Sequence, residues 1–469
     1  MEGKHRHRPV LDSVRDLRPA RISHLETAMK YSGKNVAVLG AGLSGTAAAL
    51  LLRNEGAEVT VLDSADEAKL LKSTLDNLRS RGVTVRTGAV AETDSSPFDL
   101  IVLSPGIDPA SPLAKNFSSR KIATIGELEL GWTCVDAPVV AITGTNGKTT
   151  TTELLAQMLN ACGQSTIACG NIGKPLCEVA LEDRDLDVLT VEVSSFQLEA
   201  IKTFRPSVSV WLNFAPDHLD RYPSVAEYRA AKLRIFENQM ADDVAVINAG
   251  ESLPKIKARP VTFSAYTNRA DFRLEEGFIV YENQPVLRMA DTKLRGAHNI
   301  ENMMATLAVG LARGLSFEQM VPPLQTYLPR PHRCEFVREL GGVVYVNDSK
   351  ATNLDAVEKA LLAQNRKVIL IAGGKDKGFT FETLRSLVAE KSRAVILIGE
   401  MATRICQDWK DAVSCEIADS LADAVERAHA VAQPGEVVLF SPGTSSFDMF
   451  KSYADRGDQF RTLVHALPK

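Results

Sequence analysis

A chain of 469 residues is too long for one hydrophobic core and implies about three domains. Charged residues make up 24% and apolar ones 45%, ordinary for a globular protein, and a net charge of −4 gives no reason to expect a nucleic-acid partner. No apolar run reaches the roughly 18 residues a membrane helix needs, and seven cysteines without a CxxC pair argue against a disulfide framework or a thiolate metal site, so a reducing cytoplasm is expected.

Residues 1–28 are rich in Arg and His, lack the apolar stretch of a signal peptide, and read as an extension or an upstream start, so 1–30 is set apart as disordered. From Lys34 the pattern is strand (Asn35–Leu39), glycine turn (Gly40-Ala-Gly-Leu-Ser-Gly45), helix (Thr46–Asn54) and strand (Glu58–Leu62) ending at Asp63. This βαβ unit fits GxGxxG with an acid about 20 residues on, a motif that by itself favours NAD over a turn that binds nothing, though nothing downstream suits hydride chemistry and a nucleotide-sugar diphosphate fits the same physics. Strands at 83–86 and 99–103 follow, the second opening into Ser104-Pro-Gly-Ile107, and the unit closes near Trp132.

The second region begins with the apolar strand Ala137–Thr143, then Gly144-Thr-Asn-Gly-Lys-Thr-Thr150, then a helix over 151–159. A glycine turn between a strand and a helix N-terminus aims backbone N–H groups at an anion. Lys148 adds positive charge and Thr149 a hydroxyl for Mg²⁺. The eight-residue P-loop pattern would need Gly where Ile142 stands. Strands at 188–193, 208–212 and 244–247 follow. Residues 261–295 lack helical period and read as a small β insertion before a helix at 299–313.

A third alternation opens at Arg330, with strands at 343–346, 367–371, 394–398 and 436–440. Each ends in a polar or Gly-rich loop: NDSKATN, AGGKDKG, GE and SPGTSS. Functional groups of open α/β sheets gather at such strand ends. The fold class is therefore α/β in three domains: a Rossmann-like one, a central P-loop ATPase-like one with the β insertion, and a C-terminal Rossmann-like one. The boundaries drawn are 31–132, 133–329 and 330–469.

Several residues have two readings on spacing alone. Glu192 ends an apolar strand and is either a metal ligand or an edge glutamate facing water. Asp217, His218 and Asp220 either hold a divalent ion or cap a turn. Lys232 lies on a helix, where lysines are ordinarily solvated. Lys350, Lys375 and Lys377 sit in strand-end loops, and their common sheet edge favours an anionic ligand.

The ordered set GTNGKTT, GNIGKP, EVSSFQLE, NFAPDHLDRYP, YRAAKLRIFEN, GAHNIEN, HRCE and NDSKATN resembles the Mur ligase family, over residues 33–469. The family loop is itself GxxGK[ST], so Ile142 is no defect. GGKDKGF and SPGTSSFDMF resemble its D-glutamate-adding members, and a DNPR-type signature is absent from the sequence. The resemblance implies ATP-dependent addition of D-glutamate to UDP-N-acetylmuramoyl-L-alanine (UDP-MurNAc-L-alanine) through an acyl phosphate, in cytoplasmic peptidoglycan precursor synthesis. It implies small-molecule substrates, no membrane partner and a monomer.

The resemblance also distributes roles. ATP falls to Gly144, Thr145, Asn146, Gly147, Lys148, Thr149, Thr150, Asn302, Arg333 and Asp348. Catalysis falls to Lys148, Glu192, His218 and Lys232. Two Mg²⁺ ions fall to Thr149, Glu192, His218 and Lys232, the last as a carbamate, which requires a neutral amine first. The UDP-substrate falls to Gly42, Ser44, Asp63 and Asn171, and D-glutamate to Lys350, Thr352, Lys377, Ser446 and Tyr453. Alternatives are a sister ligase, a folylpolyglutamate synthase (which lacks a comparable first domain), a non-catalytic nucleotide-binding regulator, and an NAD-dependent oxidoreductase resting on GAGLSG and Asp63 alone.

Overall fold

The computed structural model describes residues 29–468, except Asp183, Asp220, Arg295, Pro329 and Arg330. Of the expected extension 1–30, residues 1–28 lie outside the described residues, while Lys30 donates from its N–H to Glu55 Oε2 at 3.2 Å and from Nζ to the Thr133 carbonyl at 2.9 Å. Three sheets follow one another along the chain.

The first sheet holds β1 (Asn35–Leu39), β2 (Glu58–Asp63), β3 (Thr84–Thr87), β4 (Leu100–Leu103) and β5 (Thr124–Gly126), in the order β3-β2-β1-β4-β5. All its pairs are parallel. β5 was missed in the sequence because Thr-Ile-Gly is too short to show a period. The first helix begins at Leu43, three residues earlier than expected, so GAGLSG runs directly into it.

The second sheet holds β6 (Val139–Thr143), β7 (Thr166–Gly170), β8 (Val188–Glu192), β9 (Val208–Trp211), β10 (Val244–Asn248), β11 (Arg259–Ser264), β12 (Phe272–Glu275), β13 (Phe278–Tyr281) and β14 (Gln284–Arg288). Its order is β14-β13-β12-β11-β10-β9-β6-β8-β7. β6 to β12 are parallel, and β12-β13-β14 is an antiparallel meander. The β insertion thus continues the central sheet outward. The strands nearest β6 are buried on both faces, which explains their unbroken apolar runs.

The third sheet holds β15 (Glu335–Leu340), β16 (Val343–Asn347), β17 (Val368–Gly373), β18 (Ser392–Ile398), β19 (Ser414–Ile417) and β20 (Val437–Phe440), in the order β15-β16-β20-β17-β18-β19. Only the β15-β16 pair is antiparallel. Both edge strands, β15 and β19, were missed, because they are half-exposed and carry charges among their apolar residues.

The helix Glu127–Trp132 joins the first two sheets. Its buried Glu129 carboxylate accepts bonds from the backbone N–H groups of Lys202 (2.9 Å), Thr203 (2.8 Å) and Phe204 (2.9 Å). Gly126 donates to the Ala200 carbonyl at 2.9 Å. The connection is therefore fastened to the central sheet rather than crossing to it as a free linker.

Candidate active site

The phosphate-type loop turns between β6 and the helix Lys148–Ala161. Gly147 caps that helix in the left-handed region (φ +82°), which glycine adopts without a Cβ penalty, and a Cβ there would meet Asn302 Oδ1 at 2.5 Å. The helix starts at Lys148, not Thr151, so its free N–H groups lie within the loop itself. Asn213 fastens the loop from β9: its side chain accepts from Asn146 N at 2.9 Å and donates to Asn146 O at 3.0 Å.

Two lysines converge beneath this turn. Lys148 Nζ donates to the carbonyls of Gly144 (3.0 Å) and Thr145 (2.9 Å), and Lys232 Nζ to the same Gly144 carbonyl at 2.9 Å. Lys232 is 2% exposed, on the helix Val225–Leu233, contrary to the solvated reading of a helical lysine. Burial first, then the Lys148 charge, drives its pKa well below the ordinary lysine value. Desolvation likewise lowers Lys148, against the pull of Glu192 and Asp217.

Glu192 ends β8, an interior strand, and is 2% exposed, so the water-facing edge reading does not hold. Its Oε1 accepts from Asn171 Nδ2 at 2.7 Å, while Oε2 is buried without a partner among the described residues. His218 sits in the left-handed region (φ +56°) with its ring edge-on to Phe196, 4.8 Å between centroids. Burial pushes its pKa down to about 4, so the imidazole is neutral near pH 7.

Asp217 does not act as a simple cap. Its carboxylate accepts from Lys377 Nζ (2.8 Å) and Asn353 Nδ2 (3.0 Å), both from the third sheet's loops. Burial alone would raise its pKa, but Lys377 and His218 bring it below the usual carboxylate range. Asn146 also bonds the Asp355 carboxylate across the same cleft. On the far wall, Lys350 Nζ stands 3.8 Å over the Tyr453 ring, and burial lowers its pKa to about 8. Asp348 accepts from Ser441 Oγ (2.8 Å) and Cys334 N (3.1 Å), and burial raises it to about 6.

These groups surround one cavity of about 290 Å³ between the second and third sheets. Thr145, Asn146, Gly147, Lys148, Thr149, Thr150, Asn171, Glu192, His218, Asn302, Arg333, Asp348, Lys350, Thr352 and Lys377 all line it. Gly144 and Lys232 lie beneath it. Ser446 is buried and does not line the cavity, and Tyr453 underlies Lys350. Gly42, Ser44 and Asp63 belong to the first sheet and do not border this cavity. There the Asp63 carboxylate accepts from the backbone N–H groups of Ala41 and Ala65, both at 2.8 Å. A separate cavity of about 400 Å³, lined by Trp132, Asp136 and Arg205 at the opposite end of β6, holds none of these groups.

Sequence reasoning gave no role to His298, Asn299, Asn353 and Lys359, which also line the cleft. Three of the four lay inside motifs that had been noticed, GAHNIEN and NDSKATN. Among the described residues, no group of three His, Cys, Asp or Glu side chains gathers to hold a metal ion, and no helix is long and apolar enough to cross a membrane.

Family models match in chain order: Mur ligase MurD-like, N-terminal domain, at residues 34–126; Mur ligase middle domain at 142–310; and Mur ligase, glutamate ligase domain, at 332–443. The chain is 44% identical over 449 residues to the UDP-N-acetylmuramoylalanine--D-glutamate ligase of Geotalea daltonii, covering 94% of this chain and 99% of that one. It is 42% identical over 451 residues to the enzyme of that name from Geobacter metallireducens, with the same coverage. Among solved structures it is similar to a pseudomurein peptide ligase type C from Methanothermus fervidus (TM-score 0.59, 18% identity, 92% of this chain and 99% of that one). It is also similar to the UDP-N-acetylmuramate-alanine ligase MurC of Thermotoga maritima (TM-score 0.58, 17% identity, 92% and 99%). The structural likenesses bear on the fold.

Proposed function

Because the chain belongs to the Mur ligase family, we propose how its cleft performs the ATP-dependent addition of D-glutamate to UDP-MurNAc-L-alanine, a step of peptidoglycan precursor synthesis. The family uses ATP. On this reading residues 31–132 bind the UDP-sugar, 133–329 the ATP and 330–469 the amino acid, in a cytoplasmic monomer.

A carboxylate is a poor electrophile, since attack on it must build more negative charge. Transfer of the γ-phosphate to the alanyl carboxylate makes an acyl phosphate and releases ADP. The D-glutamate amine then attacks the carbonyl carbon, and the tetrahedral intermediate expels phosphate. Both steps develop anionic charge, so what the protein must supply is positioned cations. The observation that carries the proposal is the convergence of Lys148, Arg333, Lys350 and Lys377 on one cavity built from two sheets, with Lys232 directly beneath it.

Lys148 and the loop N–H groups are assigned to the β- and γ-phosphates. Asn302, Arg333 and Asp348 are assigned to the rest of the nucleotide. Lys350, Thr352, Lys377, Ser446 and Tyr453 are assigned to D-glutamate. Gly42, Ser44, Asp63 and Asn171 are assigned to the UDP-substrate.

The residues present also fit Mg²⁺. Glu192 carries a buried carboxylate oxygen with no partner among the described residues, an arrangement that is costly unless a cation meets it. Thr149, Glu192, His218 and Lys232 are the residues that would hold two ions, whose bound charge would offset that of the phosphates. Lys232 is prepared for carbamylation: its depressed pKa leaves a fraction as free amine, which adds CO₂ and loses a proton to become an anionic ligand.

Phosphate release, measured with UDP-MurNAc-L-alanine, ATP and a panel of amino acids, tests the assignment. D-Glutamate alone is expected to support turnover. Turnover with a different amino acid, or none with D-glutamate, overturns it.

A further inference from the structure

The motif NFAPDHLDRYP contains a cation that the chemistry above does not use. Arg221 is largely buried, with 16% of its side chain exposed, and its guanidinium has three engagements. One N–H donates to the Pro105 carbonyl at 2.8 Å, another to Glu199 Oε2 at 3.2 Å, and the plane lies 3.9 Å over the Phe196 ring. Phe196 in turn presses on His218. The backbone closes the same circuit: Arg221 N and Tyr222 N both donate to the His218 carbonyl, at 3.0 and 2.9 Å.

Two consequences follow from these contacts. A non-glycine residue at positive φ needs outside support, and for His218 that support is this turn and the Phe196 ring. Pro105 also belongs to a different sheet. It lies in the Ser104–Ile107 loop after β4, and that loop abuts the first glycine turn: a Cβ on Gly40 would meet Ser104 Oγ at 3.0 Å and Ile107 Cδ1 at 3.2 Å. One side chain therefore spans from the loop that backs GAGLSG to the ring that fixes His218.

We propose that Arg221 is a positioning residue that couples seating of the UDP-substrate on the first sheet to the placing of His218 in the central cleft. The proposal rests on the ligase reading above. A planar guanidinium suits this task, since it stacks and donates in two directions at once, which an ammonium cannot do.

The experiment is steady-state kinetics of the full-length enzyme with Arg221→Ala, Arg221→Lys and Phe196→Leu, varying UDP-MurNAc-L-alanine, ATP and D-glutamate in turn. Arg221→Ala is expected to raise KM for the UDP-substrate and lower kcat, together roughly ten- to a hundredfold in kcat/KM, as loss of positioning does. KM for ATP is expected to stay unchanged. Arg221→Lys is expected to fall between. Phe196→Leu is expected to lower kcat without raising KM for the UDP-substrate, and to be less than additive with Arg221→Ala.

Wild-type kinetics in Arg221→Ala, or an equal rise in all three KM values, overturns the proposal. If Arg221→Ala does not fold, Arg221→Lys and Phe196→Leu decide by the same split. Absence of turnover in the wild-type enzyme defeats the ligase reading itself and this proposal with it, whereas a wild-type-like variant of an active enzyme defeats the proposal alone.

Discussion

The chain contains two glycine turns of the same local design, one after β1 and one after β6, and their surroundings differ. Each connects a buried parallel strand to a helix N-terminus. After β1 the turn is open: Leu43 is 80% exposed, and the charged group that organises it is an acid, Asp63. After β6 the turn is enclosed: two lysines donate to its carbonyls, and a buried carboxylate oxygen on Glu192, unpartnered among the described residues, stands across the cavity. Backbone N–H groups at a helix start suit a phosphate in either place. What separates a turn that holds a diphosphate from one that transfers a phosphoryl group is the charge gathered around it and the exclusion of water.

The strongest way to break this comparison is to remove the cations of the second turn. Lys148→Ala is expected to lower phosphate release by about a thousandfold or more, the scale set by losing a cation aimed at developing charge. The fold should persist, because the substitution also relieves the repulsion between Lys148 and Lys232, and an unchanged thermal unfolding midpoint checks that. Wild-type-like release would remove the distinction between the turns. Lys232→Ala is expected to be inactive as well, and partly restored by short carboxylates such as formate or acetate that replace a carbamate. Failure of rescue would argue against the carbamate while leaving Lys148 in place.

The two turns also show what could be read in advance. Both stood out because a short apolar strand, a glycine pattern and a helical period follow one another within about 30 residues. The converging strand-end loops and their lysines were equally visible. Contacts between sheets were not. Asn353 meets Asp217 across 136 residues of chain, and no periodicity within either segment records it. Burial of Lys232 was hidden for a related reason: the helix Val225–Leu233 is short and mixed, and only packing beneath Gly144 decides which face is covered. The short or charged strands β5, β15 and β19 escaped because pairing with neighbours, rather than their own pattern, makes them strands.

A milder change sharpens the comparison from the other side. Asp63 holds the Ala41 N–H of the first turn and the Ala65 N–H just after β2, so Asp63→Ala is expected to loosen that turn and raise KM for UDP-MurNAc-L-alanine about tenfold, the order expected for losing charge-assisted hydrogen bonds. KM for ATP should not move, which titration of each substrate in turn would establish. An equal effect on ATP would mean that the two turns are not separate sites.

An effect confined to alkaline pH is expected at the far wall of the cleft. Lys350 has its pKa lowered by burial to about 8, so it is a cation below that pH and loses its charge above it. If it holds a carboxylate of D-glutamate, KM for D-glutamate should rise about tenfold between pH 7 and pH 9, following the protonated fraction of a group titrating near 8. His218, at about 4, stays neutral throughout that window and adds nothing to the trend. Lys350→Arg keeps the charge at every pH in the range and should flatten the profile, even where geometry costs it activity. A profile equally steep in Lys350→Arg would assign the titration to another group and leave Lys350 to its contact with the Tyr453 ring.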